Sequence, residues 1–256
     1  MKTYKGYMID LDGTIFRGNE VIEGAQEFID ALYEKNIPYL FLTNNASSTQ
    51  EEIANKLTRM GIKATPENIF TSSLATAKYI KQVKQEASCF VIGETGIISC
   101  LANEGLTIAD ENCDFVVMGI DRQINYEKLA KACIAIRNGA RFISTNSDIA
   151  IPTEKGFLPG NGALTSVVAV STGIQPTFIG KPEKIIMEEA LAVLGLAKED
   201  TMMIGDNYDT DILAGLSANV DTLLVFTGIT SKQDHEQRDR QATHYVDSLT
   251  EWIPHL

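Results

Sequence analysis

The sequence predicts an α/β protein, a Rossmann-like parallel-sheet core carrying an inserted α/β cap domain. Three observations lead there. Short apolar runs alternate with helical patterns along all 256 residues, the order that builds parallel sheets through helical crossovers. Several runs end in chemistry-bearing residues, at the strand tips where open α/β sheets place ligands. Those runs lie toward both chain ends, whereas no strand end in the middle carries paired acids. The simplest division is a core made of residues 1–76 plus 178–256, with 77–177 inserted.

Taken in order, Tyr7-Met8-Ile9 reads as a buried strand with Asp10 and Asp12 at its tip. Gly13 allows a sharp turn there, because glycine takes positive φ without steric cost. One carboxylate could attack phosphorus, the other move protons, and both hold a hard cation. Alone, the segment would equally suit a solvated turn. Ala25, Phe28, Ile29 and Leu32 mark an amphipathic helix. The run Ile37–Leu42 ends in Thr43, Asn44 and Asn45, neutral donors suited to phosphate oxygens. Ser48 and Glu51 fit a capping box, Ile53, Leu57 and Met60 form one helix face, and Gly61 stops it. A helix N-terminus beyond Asn45 favours an anion.

In the middle, Cys89–Ile92, Phe115–Ile120 and Arg141–Ser144 read as strands. Tyr126 to Arg137 reads as a helix facing inward through Leu129, Cys133 and Ile136, and Ala163 to Val170 as a buried helix. The stretch Thr145 to Gly162 is polar and rich in turn residues. Further on, Pro182 suits the first turn of a helix through Leu194 that faces inward through Ile185, Ile186, Ala190 and Leu194. Lys181 at such a helix start opposes its dipole unless a negative group lies close, a need that Asp10 and a phosphate would meet. Thr201–Gly205 is a strand ending in Asp206. Asp209 and Asp211 follow, with Asp209 or Thr210 expected as a helix cap. Acids at this density call for a cation. Ser231 to Thr243 reads as a mobile loop, and His235, His244 and His255 as surface residues.

Acids outnumber bases 34 to 22, a net charge of −12, which argues against nucleic acid or an anionic membrane as a main partner. No signal peptide and no spanning apolar run is read, so a cytoplasmic location is expected. Cys89, Cys100, Cys113 and Cys133 form no C-x-x-C pair and are expected as reduced thiols.

The segments Asp10-Leu11-Asp12-Gly13-Thr14, Thr43-Asn44-Asn45, Lys181 and Gly205-Asp206 through Asp211, in this order, resemble the motifs of the haloacid dehalogenase superfamily of phosphohydrolases. The long insertion after the second motif, with Pro159-Gly160-Asn161-Gly162 near its end, is similar to that of the NagD-type branch. That branch includes sugar-phosphate and p-nitrophenyl-phosphate phosphatases. The resemblance implies a Mg²⁺-dependent phosphomonoester hydrolase acting on a small phosphorylated metabolite. Asp10 would be the nucleophile and Asp12 the general acid and base. Thr43, Asn44 and Lys181 would hold phosphoryl oxygens, with Asn45 shaping the loop. The carboxylates of Asp10 and Asp206 and the backbone carbonyl of Asp12 would bind Mg²⁺. Asp211 would support the metal waters or Lys181 from behind. The loop from Asn146 to Asn161, with Asp148 and Glu154, would meet the variable part of the substrate. A phosphomutase or a non-catalytic sugar-phosphate binder would share the fold. The branch includes cap-to-cap dimers, so a homodimer is compatible with it.

Overall fold

Strand β1 (Gly6–Ile9) is buried along its whole length. It opens a computed structural model that describes residues 2–153 and 155–256. A short antiparallel hairpin, β2 (Phe16–Arg17) with β3 (Glu20–Val21), follows the Asp10–Gly13 turn. Helix α1 (Ala25–Glu34) buries Ala25, Phe28, Ile29 and Leu32, the face expected from their spacing. Strand β4 (Tyr39–Thr43) is again wholly buried. Helix α2 (Gln50–Arg59) begins later than a Ser48 cap implies, and Asn45 braces the turn before it. Its Oδ1 accepts the N–H groups of Ser47 and Ser48 at 2.9 and 3.0 Å. Ile53 and Leu57 face inward as expected, and Gly61 follows the helix end at φ 84°. Strand β5 (Ile69–Thr71) closes this part.

A second compact unit takes Asn44–Thr49 and Thr71–Gly180. Its elements run α3 (Ser72–Val83), β6 (Ser88–Ile92), α4 (Thr95–Asn103), β7 (Thr107–Ile108), β8 (Phe115–Met118), α5 (Tyr126–Arg137) and β9 (Arg141–Ser144). They continue with β10 (Ala150–Thr153), β11 (Gly156–Pro159), α6 (Asn161–Thr172) and β12 (Thr177–Phe178). Five strands form a parallel sheet in the order β12-β9-β8-β6-β7. Phe90, Ile92, Val116, Met118, Cys133, Ile136 and Val168 fill one side of it. The polar stretch contains an antiparallel hairpin, β10 with β11, that the sequence did not signal. Neither strand is buried, so no apolar alternation marks them. Helix α6 is only half inside: Val168 and Ala169 are buried, whereas Val170 is 83% exposed. All four cysteines are free thiols. Glu154 lies outside the described residues.

The chain returns to the first unit at Lys181. Helix α7 (Lys184–Leu194) starts after Pro182, with Glu183 at its N-cap, so Lys181 precedes the helix rather than sitting in its first turn. The Lys181–Pro182 peptide is cis. The buried residues of α7 are Ile186, Met187, Glu189 and Ala190, with Ile185 and Leu194 only half-buried. Strand β13 (Thr201–Gly205) leads through a π-helical turn, Tyr208–Ile212, into α8 (Leu213–Ala218). Neither Asp209 nor Thr210 caps that turn. Asn207 does, its Oδ1 accepting the Asp209 N–H at 3.0 Å. Strand β14 (Asp221–Val225) follows. The segment expected as a mobile loop contains α9 (Lys232–Glu236), closed by a reciprocal Ser231–Asp234 capping box. His235 on that helix is buried among the rings of Tyr208, Phe226 and Tyr245, not at the surface. Strand β15 (His244–Val246) is the last.

The first unit's sheet has the order β15-β14-β13-β1-β4-β5. Central β1 runs parallel to both neighbours, with Ile9 opposite Ile204 on β13 and Phe41 on β4. Strands buried on both faces are the mark of a parallel sheet covered by helices. Tyr7, Ile9, Phe41 and Ile204 pack with Phe28, Ile29, Ile53 and Leu57 in the main core. This register sets the carboxyl tips of β13, β1 and β4 side by side. Asp206, Asp10 and Thr43 therefore stand in a row.

Candidate active site

The Asp10 N–H donates to the Ile204 carbonyl at 2.8 Å, extending the ladder by one bond before the chain turns. Gly13, at φ 90°, makes the turn, and a Cβ there would lie 2.4 Å from Asp206 Oδ2. Only glycine fits both the angle and the space. Asp10, Lys181, Asp206 and Asp211 are all buried.

The Lys181 ammonium is shared. It donates to Asp10 Oδ1 at 2.5 Å, to Asp211 Oδ1 at 2.7 Å and to the Leu42 carbonyl at 3.2 Å. Asp211 Oδ2 also accepts the Asn207 N–H at 3.1 Å. Asp206 is held by neutral donors, the Thr14 hydroxyl on Oδ1 at 3.2 Å and the Ile229 N–H on Oδ2 at 2.8 Å. Carboxylate oxygens of Asp10, Asp206 and Asp211 lie within 4.8 Å of one another. Three carboxylates thus face one lysine away from water, and an all-oxygen donor set of that charge suits a hard divalent cation.

Protonation reflects the crowding. Burial first, then Asp211, raises the Asp10 carboxyl well above the carboxylate range, against the pull of Lys181. Burial and then Asp211 push Asp206 up to about 6. Burial opposes the charge on Lys181, but Asp10 and Asp211 outweigh it and hold the lysine above its ordinary value. The two ends of the Lys181–Asp10 pair thus pull in opposite senses. The shared ammonium decides between them: with two carboxylates on it the lysine stays charged, while burial first and the neighbouring Asp211 second hold the acids up. Burial also raises Asp12, opposed by Lys56 and then Lys181. Its side chain is exposed, and the water it keeps limits that rise.

The remaining residues of interest are placed as follows. Thr43 is buried at the tip of β4. Asn44 and Asn45 group with the second unit. The Asn44 amide donates to both carboxylate oxygens of Asp148 at 3.2 and 3.3 Å, and its carbonyl accepts from Ser72 and Asn146. Thr14 and Asn207 lie within the motif segments but carry no role in the sequence reading, and the Thr227–Thr230 segment is not singled out there; all of them touch the acidic cluster or its turn. Thr227-Gly228-Ile229-Thr230 does follow an apolar strand closely, the same signal that marked the other tips.

Family models for haloacid dehalogenase-like hydrolases match residues 7–107 and 178–252. The chain is 59% identical to the 5′-nucleotidase YutF of Bacillus subtilis, over 100% of both chains. The chain belongs to the haloacid dehalogenase-like hydrolases. It is a phosphatase of their NagD-like branch. It is also 50% identical to an acid sugar phosphatase of Staphylococcus saprophyticus, over 100% of this chain and 99% of the other. The solved structure of NagD from E. coli K-12 superposes with a TM-score of 0.91 at 35% identity, covering 98% of each chain. Among the described residues no helix is long and apolar enough to cross a membrane.

Proposed function

We propose that this phosphatase is a Mg²⁺-dependent phosphomonoester hydrolase that works through an aspartyl-phosphate on Asp10, with a small phosphorylated metabolite, a sugar phosphate or a nucleotide, as substrate. The observation that carries the reading is the state of Asp10. One of its oxygens takes the Lys181 ammonium, and the other accepts no hydrogen bond among the described residues. A buried carboxylate oriented by one oxygen and open at the other is prepared to attack.

The carboxylates of Asp10 and Asp206 and the carbonyl of Asp12 would hold Mg²⁺, with Asp211 anchoring Lys181. A bound Mg²⁺ would supply the positive charge that lets a phosphate approach these acids. Thr43 and Lys181, with Asn44 next in the chain, would bind phosphoryl oxygens, and Asn45 would keep the loop in shape. Asp10 attacks phosphorus and the bond to the leaving oxygen breaks. Asp12 gives that oxygen its proton. Asp12 then takes a proton from water as the water attacks the phosphoryl group, releasing inorganic phosphate and freeing Asp10. The core of residues 1–76 plus 178–256 would perform this chemistry, and the inserted 77–177 would choose the substrate. The core groups bind what all phosphomonoesters share, so selectivity has to come from other residues.

Phosphate release from a panel of sugar phosphates, nucleotides and p-nitrophenyl phosphate, with and without EDTA, tests the reading. Turnover should vanish on chelation and return with Mg²⁺. Full turnover by metal-free enzyme would sink the metal-dependent mechanism.

A further inference from the structure

Of the three clustered carboxylates, Asp10 and Asp211 share the Lys181 ammonium, whereas Asp206 makes no ion pair among the described residues. Its carboxylate is oriented by two neutral donors, the Thr14 hydroxyl and the Ile229 N–H, and the second belongs to a segment that also holds the Asp206 backbone. After β14 the chain passes over Asp206 as Thr227-Gly228-Ile229-Thr230. The Ile229 N–H donates to Asp206 Oδ2 at 2.8 Å and the Thr230 N–H to the Asp206 backbone carbonyl at 3.1 Å. The Thr230 hydroxyl accepts the Tyr208 N–H at 2.8 Å, tying down the turn that leads to Asp211. At the other end, the Thr227 hydroxyl donates to the Gly13 carbonyl at 2.7 Å, and the Arg17 guanidinium donates to the Thr227 carbonyl. Gly228 lies so close to the carboxylate that a Cβ on it would fall 1.8 Å from Asp206 Oδ2.

We propose that Thr227–Thr230 is a strap that sets the Asp206 carboxylate for cation binding, with Gly228 and Thr230 as its positioning residues. The proposal rests on the metal-dependent reading above. Its physical basis is the kind of donor used. One N–H and one hydroxyl leave each Asp206 oxygen a further lone pair, and they add no positive charge to compete with a cation. A lysine in the same place would orient the carboxylate equally well and repel the ion. Gly228 has no positive φ to satisfy, so space alone requires glycine there. Adding a methyl group would turn the carboxylate away from Ile229 and Thr14. Loss of the Thr230 hydroxyl would leave the buried Tyr208 N–H without its acceptor and free the turn between Asp206 and Asp211.

The experiment titrates metal-free full-length protein with Mg²⁺ by calorimetry, without substrate, for the wild type, Gly228→Ala, Thr230→Val and Thr230→Ser. In parallel, kcat and KM for p-nitrophenyl phosphate are measured at saturating Mg²⁺. Outer partners of metal ligands commonly change affinity by about 10–100-fold. Gly228→Ala and Thr230→Val should weaken Mg²⁺ binding by about tenfold or more, while KM at saturating Mg²⁺ stays within about twofold. Thr230→Ser keeps the acceptor and should stay close to wild type. If Gly228→Ala does not fold, the Thr230 pair decides alone. Wild-type Mg²⁺ affinity in folded Thr230→Val overturns the strap, and so does a Thr230→Ser that binds as weakly as Thr230→Val. A wild-type chain that binds no Mg²⁺ overturns the metal-dependent reading and the strap with it.

Discussion

Replacing Lys181 by methionine keeps the length of the side chain and removes its charge. Lys181 is 3% exposed, Asp10 7% and Asp211 1%, so water cannot replace the ammonium. Removing one member of a buried ion pair costs about 3–5 kcal/mol, because the partner stays charged and uncompensated. Here two carboxylates lose the same partner, and Asp206 stands with them inside 4.8 Å. The upper part of that range applies at pH 7.5 without metal. For a chain of this size each kcal/mol moves the melting point by about 2–4 °C, so a fall of roughly 10–20 °C is expected. Protonation limits the damage. Asp10 already sits well above the usual carboxylate range and would rise further without the lysine, so the deficit should shrink as pH falls. Adding Asp211→Asn removes one uncompensated charge and should recover part of the loss. The assay is thermal unfolding by circular dichroism in EDTA at pH 7.5 and 5.5, for the wild type, Lys181→Met and the double variant. A Lys181→Met melting point within about 2 °C of wild type at pH 7.5 would refute the view that the lysine's first task is charge compensation.

Asp10→Asn should lose nearly all turnover, and beryllium fluoride with Mg²⁺ should trap an acyl-phosphate mimic on Asp10; a trapped group on Asp12 would reverse the assignment. Asp206 is pushed up to about 6 in the folded, metal-free chain against an ordinary 3.8, so the folded state holds that proton more tightly; stability is lost as pH rises from about 3.8 to about 6, and the full penalty is present above 6. Asp206→Asn should therefore stabilise metal-free protein at pH 7.5, by up to about 3 kcal/mol, and much less at pH 4.5. Comparison with the wild type at each pH isolates this group from His235 and His244, whose lowered values, caused first by burial, act in the opposite sense. An equal effect of Asp206→Asn at both pH values would contradict the raised carboxyl. Asp12→Ala should slow phosphorylation of the enzyme more with an alkyl phosphate than with p-nitrophenyl phosphate, whose leaving group needs little protonation; equal losses in single-turnover kinetics would remove the acid role. Asp148→Ala frees the Asn44 amide of its carboxylate and should change the ranking of kcat/KM across a substrate panel; one common factor for all substrates would place selectivity elsewhere.

What could be read from the chain alone is what local pattern encodes. Tyr7-Met8-Ile9 and Thr201–Gly205 announce strands because a sheet covered on both faces needs apolar residues at every position. Their tips stand out because an acid directly after such a run has no packing reason to be there. The faces of α1 and α2 follow from helical spacing, and the two family-model matches fall on the motif-bearing segments. Tertiary structure decided whatever depends on a partner far along the chain. Lys181 and Asp10 are 171 residues apart, and spacing could say only that the lysine needed an anion; the family resemblance left Asp211 between the metal waters and Lys181, and the fold sets its carboxylate on the lysine. His235 sits in a charged, poorly patterned segment, and only the rings of Tyr208, Phe226 and Tyr245 folding around it bury it. The β10–β11 hairpin buries no face, so its pairing left no apolar trace in the sequence. The motif around Asn44 raised the expectation of a phosphate ligand, whereas the group its amide meets in the fold is Asp148, 104 residues on. Local periodicity reports whether a face is buried; it carries no information on which distant group will be waiting there.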